Sequence, residues 1–377
     1  MDVEVILISE LPLPFHKVAS WTRMYDYLFR KSDQPFDHIV CPEVNEKLKG
    51  ISYEFIRDIN VVDKIKNRLP SKTLYNNYIE ALERIIDPDK RYVIQIVDNS
   101  GIVVPINKFL SKKFDRKDFY IQYYFHGFAP IVSINKGDKF LGAIDEFFFL
   151  TQLSYQEYLK FYNSCPFKAR IIHNGIDIEK FKPVSESDKL NLRLELGLNN
   201  DEIIFTWCSQ DRPKKGLHIA LEAFKEVHKT NPKTKLIVVG INRVINQSGV
   251  INTKRIPNED LAKYYQLSDI FLFPTLWKEG FGIVLAEAMH CGCYIIASDQ
   301  GGVREVLGNG KYGKLIDKPN LVEEWVNAMH FSVEELKSKG NQYNKKVPEG
   351  LYSIESWYQN MTMAITEAKQ KLVVENI

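Results

Sequence analysis

The sequence is short of several features that would each announce a function. Its cysteines, Cys41, Cys165, Cys208, Cys291 and Cys293, are odd in number and mostly scattered, which argues against a disulfide framework and fits reduced thiols in a cytoplasmic protein. Cys291-Gly-Cys293 has no second ligand pair at metal spacing, so zinc is not expected. Neither sign of charge is in excess, with Lys plus Arg at 50 against Asp plus Glu at 48. General nucleic-acid binding therefore has no support, and any anion site must be local. No run reaches the roughly 18 apolar residues needed to span a bilayer. The opening MDVEVILISELPLPFHK has neither a basic leader nor a small-residue cleavage site, so it reads as a first strand of a soluble protein. LISELPLPF also lacks the Gly-x-Gly-x-x-Gly loop of a dinucleotide site, which ranks a nicotinamide-dependent oxidoreductase last among the candidate functions.

What is present is ordinary globular material in more than one portion. Hydrophobic residues make up 45% and charged residues 26%, and 377 residues is longer than a single core usually grows. Short branched apolar runs alternate with helical stretches, a pattern that implies βαβ units and parallel sheets. In the first half the strands are read at VEVILIS (3–9), HIVCP, YVIQIVDN (92–99), FYIQYYFHG (119–127), EFFFLT (146–151) and ARIIHNG (169–175), with a helix from about Ser20. After residue 183 the pattern restarts. Strands are read at EIIFTWCSQ (202–210), KLIVVG (235–240), IFLFPTL (270–276) and YIIASD (294–299), and Asn258 is a plausible cap for the helix NEDLAKYYQLSD. The expected organisation is a domain over 1–183, completed by a helix within 353–377, and a second domain over 184–352. Ligands on such open sheets sit beyond the carboxyl ends of the strands, and two such domains facing one another create a cleft.

KEGFGIVLAE, residues 278–287, holds the most informative chemistry. A strand ends, a turn carries Gly280 and Gly282, and a helix begins whose first N–H groups favour an anion. A tight structural turn would look the same. Glu287, however, lies among Ile283, Val284, Leu285, Ala286, Ala288 and Met289, where a carboxylate is costly unless it has a partner. Were the segment wholly helical, Glu279 and Glu287 would be about 12 Å apart. That is similar to the reach from sugar to ribose in a nucleotide sugar, and each acid could accept from vicinal hydroxyls. A surface Glu279 with a Glu287 paired to a neighbouring base is the plainer alternative.

The segment FPTLWKEGFGIVLAEAMHCGCYIIASDQGGVREVL resembles the signature of the family 4 retaining glycosyltransferases, E-G-F-G-x-x-x-x-E-A-M-x-x-G. Glu279, Gly280, Phe281, Gly282, Glu287, Ala288, Met289 and Gly292 all match. The resemblance implies a GT-B fold of two Rossmann-like open parallel-sheet domains. It assigns Glu279 to hydroxyls of the donor sugar and Glu287 to the ribose. The backbone of Gly280, Phe281, Gly282 and Ile283, with help from Val284, falls to the sugar and diphosphate. SQDRPKKGLHIALEAF (209–224) is similar to the family's basic loop, with Arg212 and Lys215 as the diphosphate cations, although basic residues on a helix-entry loop are commonly just solvated. Asp211-Arg212 replaces the usual Gly-Arg, which leaves the arginine's register open. His126, at the end of FYIQYYFHG, resembles the family's strand-end histidine facing the donor sugar; a structural histidine is the alternative. The nucleotide base is expected near Arg255 to Pro257, with Ile256 in the binding set. IIHNGIDIEKFKP (171–183) is similar to the interdomain segment, matching at Asn174, Gly175, Asp177 and Phe181.

The implied activity is transfer of a sugar from a nucleotide-diphosphate sugar, with UDP the expected nucleotide, to a carbohydrate or glycolipid acceptor in polysaccharide or lipopolysaccharide biosynthesis. No cofactor or metal is expected, because the chain has no His/Asp cluster with ligand spacing and fixed cations can stabilise the departing diphosphate. A non-catalytic sugar-nucleotide-binding subunit of the same fold is the alternative. The resemblance is specific over about residues 171–310 and architectural before it. Near the amino terminus SELPLPFHKVASWT has Ala19 where a glycine is usual, and it assigns no role to His16, Ser20 or Trp21. KFLSKKFDRK (108–117) combines Lys108, Lys112, Lys113, Arg116 and Lys117 with Phe109, Leu110 and Phe114. It reads either as a solvated helix or as a peripheral contact with an anionic membrane at the inner face.

Overall fold

A computed structural model describes residues 2–15, 21–56, 73–340 and 347–374. His16, Ala19 and Ser20 lie outside the described residues. The chain divides into two compact units, Met1–Asn174 with Glu355–Ile377, and Gly175–Ile354. The division thus falls near Asn174, nine residues earlier along the chain than the restart of the sequence pattern at 183.

The first unit is built on a seven-stranded sheet. Its strands are β1 (Val3–Ser9), β2 (His38–Pro42), β3 (Ser52–Ile56), β4 (Arg91–Val97), β5 (Phe119–Tyr124), β6 (Glu146–Phe149) and β7 (Lys168–Ile171), in the order β3-β2-β1-β4-β5-β6-β7. Every described pairing is parallel. Val5 to Ile8 and Ile94 are wholly buried, as a strand covered on both faces requires. One face packs on helices Thr73–Ile85, Ser100–Lys113, Ile134–Leu141 and Gln152–Phe161. The first helix of the chain begins at Thr22.

The closing helix, Ile354–Val374, completes this unit. It buries Trp357, Met361, Ala364, Ile365 and Leu372. Beneath it runs a ladder of polar side chains across neighbouring strands. Tyr25 Oη donates to Gln95 Oε1 (2.7 Å), Gln95 Nε2 to Gln122 Oε1 (3.2 Å), and Gln122 Nε2 to Glu146 Oε2 (2.9 Å). Gln122 also donates to the Ala364 carbonyl (3.1 Å), and Glu146 is neutralised by Arg170 (2.7 Å). Buried polar groups survive in a core only when paired in this way.

The second unit carries a six-stranded parallel sheet. Its strands are β8 (Ile203–Cys208), β9 (Thr234–Val239), β10 (Val250–Lys254), β11 (Ile270–Phe273), β12 (Tyr294–Ser298) and β13 (Gly313–Ile316), in the order β10-β9-β8-β11-β12-β13. Helices Leu217–Thr230 and Val322–Lys339 bury Phe224, Val227, Trp325 and Met329 against it. In each sheet the order reverses at one place, between β1 and β4 and between β8 and β11. Chains leaving the carboxyl ends of two such neighbours diverge to opposite faces and leave room for a ligand.

Two local expectations are corrected. Asn258 is not a side-chain cap: it lies within the single 3₁₀ turn Asn258–Asp260, and the helix starts at Leu261. The stretch from Glu279 to Glu287 is not wholly helical, because the helix begins only at Ile283 and the first four residues form a loop. The spacing of about 12 Å, calculated for a continuous helix, therefore does not apply. The basic stretch 108–117 turns its apolar residues inward. Leu110 is wholly buried, Phe109 and Phe114 pack on the core, and Lys113 and Arg116 pair with Glu83 and Asp145. No helix among the described residues is long and apolar enough to cross a membrane.

Candidate active site

At the switch point of the second sheet, the loops after β8 and β11 are neighbours because their strands are. Lys215 comes from the first loop and Glu279 from the second, and Lys215 Nζ lies 2.6 Å from Glu279 Oε1. Both side chains are mostly buried, at 22% and 15% exposure. The two loops are locked by backbone as well. Leu276 N donates to the Lys214 carbonyl (2.8 Å), and Trp207 Nε1 donates to that of Lys215 (3.2 Å). Gly216, in the left-handed region with φ 69°, packs so closely that a Cβ there would lie 1.7 Å from the Pro274 carbonyl oxygen. Only glycine fits that contact.

Glu279 is also held from its other side. Its carbonyl accepts from Gly302 N at 2.8 Å, and it forms an isolated parallel bridge with Gly301. A Cβ on Gly301 would lie 2.4 Å from the Glu279 carbonyl oxygen. Gly301 and Gly302, with Thr275, whose Oγ1 donates to Glu279 Oε1 at 2.9 Å, are parts of the site that sequence reasoning passed over. The available signal was the Gly-Gly pair beyond β12, which follows a strand end as the β8 and β11 loops do.

The loop continues through Gly280, Phe281 and Gly282 into the helix Ile283–His290. Phe281 is buried and meets Tyr352 edge to face (5.1 Å, 86°). The first intrahelical donor is Leu285 N, bonding the Gly282 carbonyl at 3.0 Å. The N–H groups of Ile283 and Val284 precede it, in the positive end of the helix dipole. Glu287 is 1% exposed, one turn further along the helix. Burial pushes the thiol of Cys208 up to about 12, with the charge of Glu287 adding to the effect. Burial, Cys293 and Glu287 likewise raise Cys291. Both thiols are thereby held protonated, and neither cysteine is an activated nucleophile. None of the five cysteines forms a disulfide.

Arg212 and Ile256 take no part in the Lys215–Glu279 ion pair, although the Arg212 carbonyl accepts from Lys215 N at 2.8 Å. Arg212 is exposed and forms no ion pair among the described residues, while its neighbour Asp211 pairs with Arg243 at 2.8 Å. Ile256 is half-buried beyond the edge strand β10. The structure therefore brings together Lys215, Glu279 and the start of the Ile283 helix. A cavity of about 660 Å³ in this unit lies at the opposite strand ends, where Lys189, Arg193 and Asp269 line it, and it does not belong to this site.

In the first unit, His126 lies two residues beyond β5. Its backbone N donates to Asp98 Oδ1 (2.7 Å), and its Nδ1 is 3.2 Å from Asp98 Oδ2. Trp21 stacks over the imidazole (5.5 Å, 19°), and the side chain is 9% exposed. Asp98 also borders a cavity of about 230 Å³ at the β1/β4 switch point, with Glu10, Tyr75, Tyr78 and Asn99. Burial and the charge of Asp98 raise the Glu10 carboxyl above its ordinary value. Among the described residues no group of three or more His, Cys, Asp or Glu is placed to hold a metal ion.

Residues 188–347 match the family described as glycosyl transferases group 1. D-inositol 3-phosphate glycosyltransferase of Segniliparus rotundus is 28% identical over 207 residues, 50% of this chain and 45% of the relative. A GDP-mannose-dependent α-(1-6)-phosphatidylinositol monomannoside mannosyltransferase of Mycolicibacterium smegmatis is 29% identical over 160 residues, 38% of this chain and 41% of the relative. The chain thus spans about half the length of the curated relatives it matches. Among solved structures, sucrose-phosphate synthase of Thermosynechococcus elongatus superposes with a TM-score of 0.72 at 17% identity, covering 97% of this chain and 99% of that one. Anabaena HepE in complex with UDP superposes with a TM-score of 0.70 at 16% identity, covering 97% and 100%.

Proposed function

We propose that the chain transfers a sugar from a nucleotide-diphosphate sugar to a carbohydrate or glycolipid acceptor, a reading supported by the match of residues 188–347 to the group 1 glycosyl transferases and by the GT-B fold. The observation that carries the reading is the convergence of Lys215 and Glu279 at the β8/β11 switch point, beside the start of the Ile283 helix.

Breaking the bond between the anomeric carbon and the diphosphate leaves an anionic leaving group and a cationic sugar. In this reading Lys215, with Arg212 when its exposed side chain swings in, neutralises the departing diphosphate. The N–H groups from Phe281 to Val284 add oriented dipoles at the same place. Glu279 holds donor-sugar hydroxyls, Glu287 the ribose, and Ile256 lies by the base. His126, oriented by Asp98, is assigned to the sugar. The acceptor oxygen attacks the face that the diphosphate leaves and its proton passes to a phosphate oxygen, so the anomeric configuration is retained. No metal takes part.

UDP is the proposed nucleotide. HepE has been solved with UDP and with UDP-glucose, whereas the Mycolicibacterium relative is named for GDP-mannose. Calorimetric titration of the full chain with UDP, GDP and ADP separates these. Binding of none of the three overturns the donor assignment, and an inverted anomeric product by NMR overturns retention. A polysaccharide or lipopolysaccharide product and a cytoplasmic location complete the proposal, the latter suited by five cysteines without a disulfide.

A further inference from the structure

Thr275 lies one residue after Pro274 at the end of β11 and is 1% exposed. A hydroxyl buried so completely is retained only where its hydrogen bonds are made. Its Oγ1 has its shortest contact, 2.9 Å, with Glu279 Oε1, and it accepts from Trp277 N at 3.3 Å. The carbonyls of Lys214 and Trp277, at 3.4 and 3.3 Å, are longer competitors for the single proton. Lys215 Nζ approaches the same Oε1 at 2.6 Å. Both side-chain bonds therefore converge on one oxygen of the carboxylate, and Oε2 has no hydrogen bond among the described residues.

We propose that Thr275 is a positioning residue for Glu279: its hydroxyl fixes Oε1, together with Lys215, so that Oε2 is presented to a hydroxyl of the bound sugar. The proposal rests on the donor-sugar role of Glu279 given above. A carboxylate tethered by Lys215 alone turns about its terminal torsion, which is broad. The Oγ1 bond adds a second, angularly distinct restraint on the same atom. The same hydroxyl receives the Trp277 N–H and so also fixes the bend that carries the chain from Thr275 to Glu279.

Thr275→Val keeps shape and removes the hydrogen bonds; Thr275→Ser keeps the hydroxyl. Full-length parent, T275V, T275S, E279Q and the double variant T275V/E279Q are titrated with UDP-, GDP- and ADP-glucose and with the corresponding free nucleotides. For the nucleotide that binds, the expected result is that T275V weakens the nucleotide sugar about tenfold while the free nucleotide is unchanged. T275S restores the sugar affinity, and T275V adds nothing in the E279Q background. Equal weakening of sugar nucleotide and free nucleotide by T275V, or full additivity with E279Q, overturns the positioning role. If E279Q itself leaves the sugar affinity unchanged, the donor-sugar reading of Glu279 has failed instead. A crystal structure of unliganded T275V supplies a test that needs no ligand: the expected result is a Glu279 carboxylate turned away from its parent position, and an unmoved carboxylate overturns the proposal.

Discussion

Lys215 Nζ and Glu279 Oε1, 2.6 Å apart, join the loop after β8 to the loop after β11 where the strand order of the second sheet reverses. A cation held in place by an acid is fixed before an anionic ligand arrives. Preorganisation of this kind is what makes a charge effective in stabilising a leaving group.

Replacing Lys215 with Ala removes that cation. Turnover is expected to fall by about 10²–10³, the range seen when one preorganised donor to a developing anion is removed. The change also leaves the mostly buried Glu279 carboxylate without its cation, so the melting temperature should fall as well. Steady-state kinetics beside a thermal melt check both; unchanged turnover removes Lys215 from the diphosphate.

Gly301→Ala tests the clamp behind Glu279. The residue has φ 70°, and its new Cβ would lie 2.4 Å from the Glu279 carbonyl oxygen and 2.7 Å from its N. Strain and displacement together should cost about 1–3 kcal/mol of stability. Donor affinity should drop as well, because Glu279 must move. Urea unfolding and calorimetry on the same preparation measure the two effects, and a variant as stable as the parent contradicts the clamp.

His290, the last residue of the Ile283 helix, gives the second unit a pH dependence. Burial pulls its pKa below the ordinary 6.5, partly offset by its Nε2 bond to the Leu351 carbonyl at 2.7 Å. The folded state thus resists a proton that the unfolded chain accepts. Its contribution to stability is full above about pH 6.5 and is lost as pH falls through the lowered folded value. Denaturation midpoints between pH 7.5 and pH 5 should decline in the parent and flatten in His290→Gln. Parallel profiles would show that this histidine is not responsible.

Much of this was legible in the sequence, and the exceptions share a cause. The central strands announce themselves as unbroken apolar runs, such as Val5 to Ile8 and Ile270 to Phe273, because both of their faces are covered. The strands that went unread, β3, β10 and β13, are all at sheet edges. In β3 only Ile56 is buried, and in β10 no residue is, so neither has an apolar run to notice. At the site, Glu279, Glu287 and Lys215 could be picked out because charged residues beside glycines and apolar neighbours are conspicuous. Thr275 and Gly301 were not. A threonine after a proline and a glycine pair after a strand look like ordinary turn chemistry until the fold brings both against Glu279. Arg212 was legible only as a residue type, since nothing in the local sequence shows that Asp211 is bound to Arg243, 32 positions away.

The most direct test of the account is a crystal structure of the full chain with the nucleotide sugar that calorimetry selects. The predicted result places the diphosphate within hydrogen-bond reach of Lys215 Nζ and of the N–H groups between Phe281 and Val284, with a sugar hydroxyl on Glu279 and the ribose at Glu287. A nucleotide sugar bound elsewhere, with the Lys215–Glu279 pair undisturbed and nothing at the start of the Ile283 helix, would contradict it.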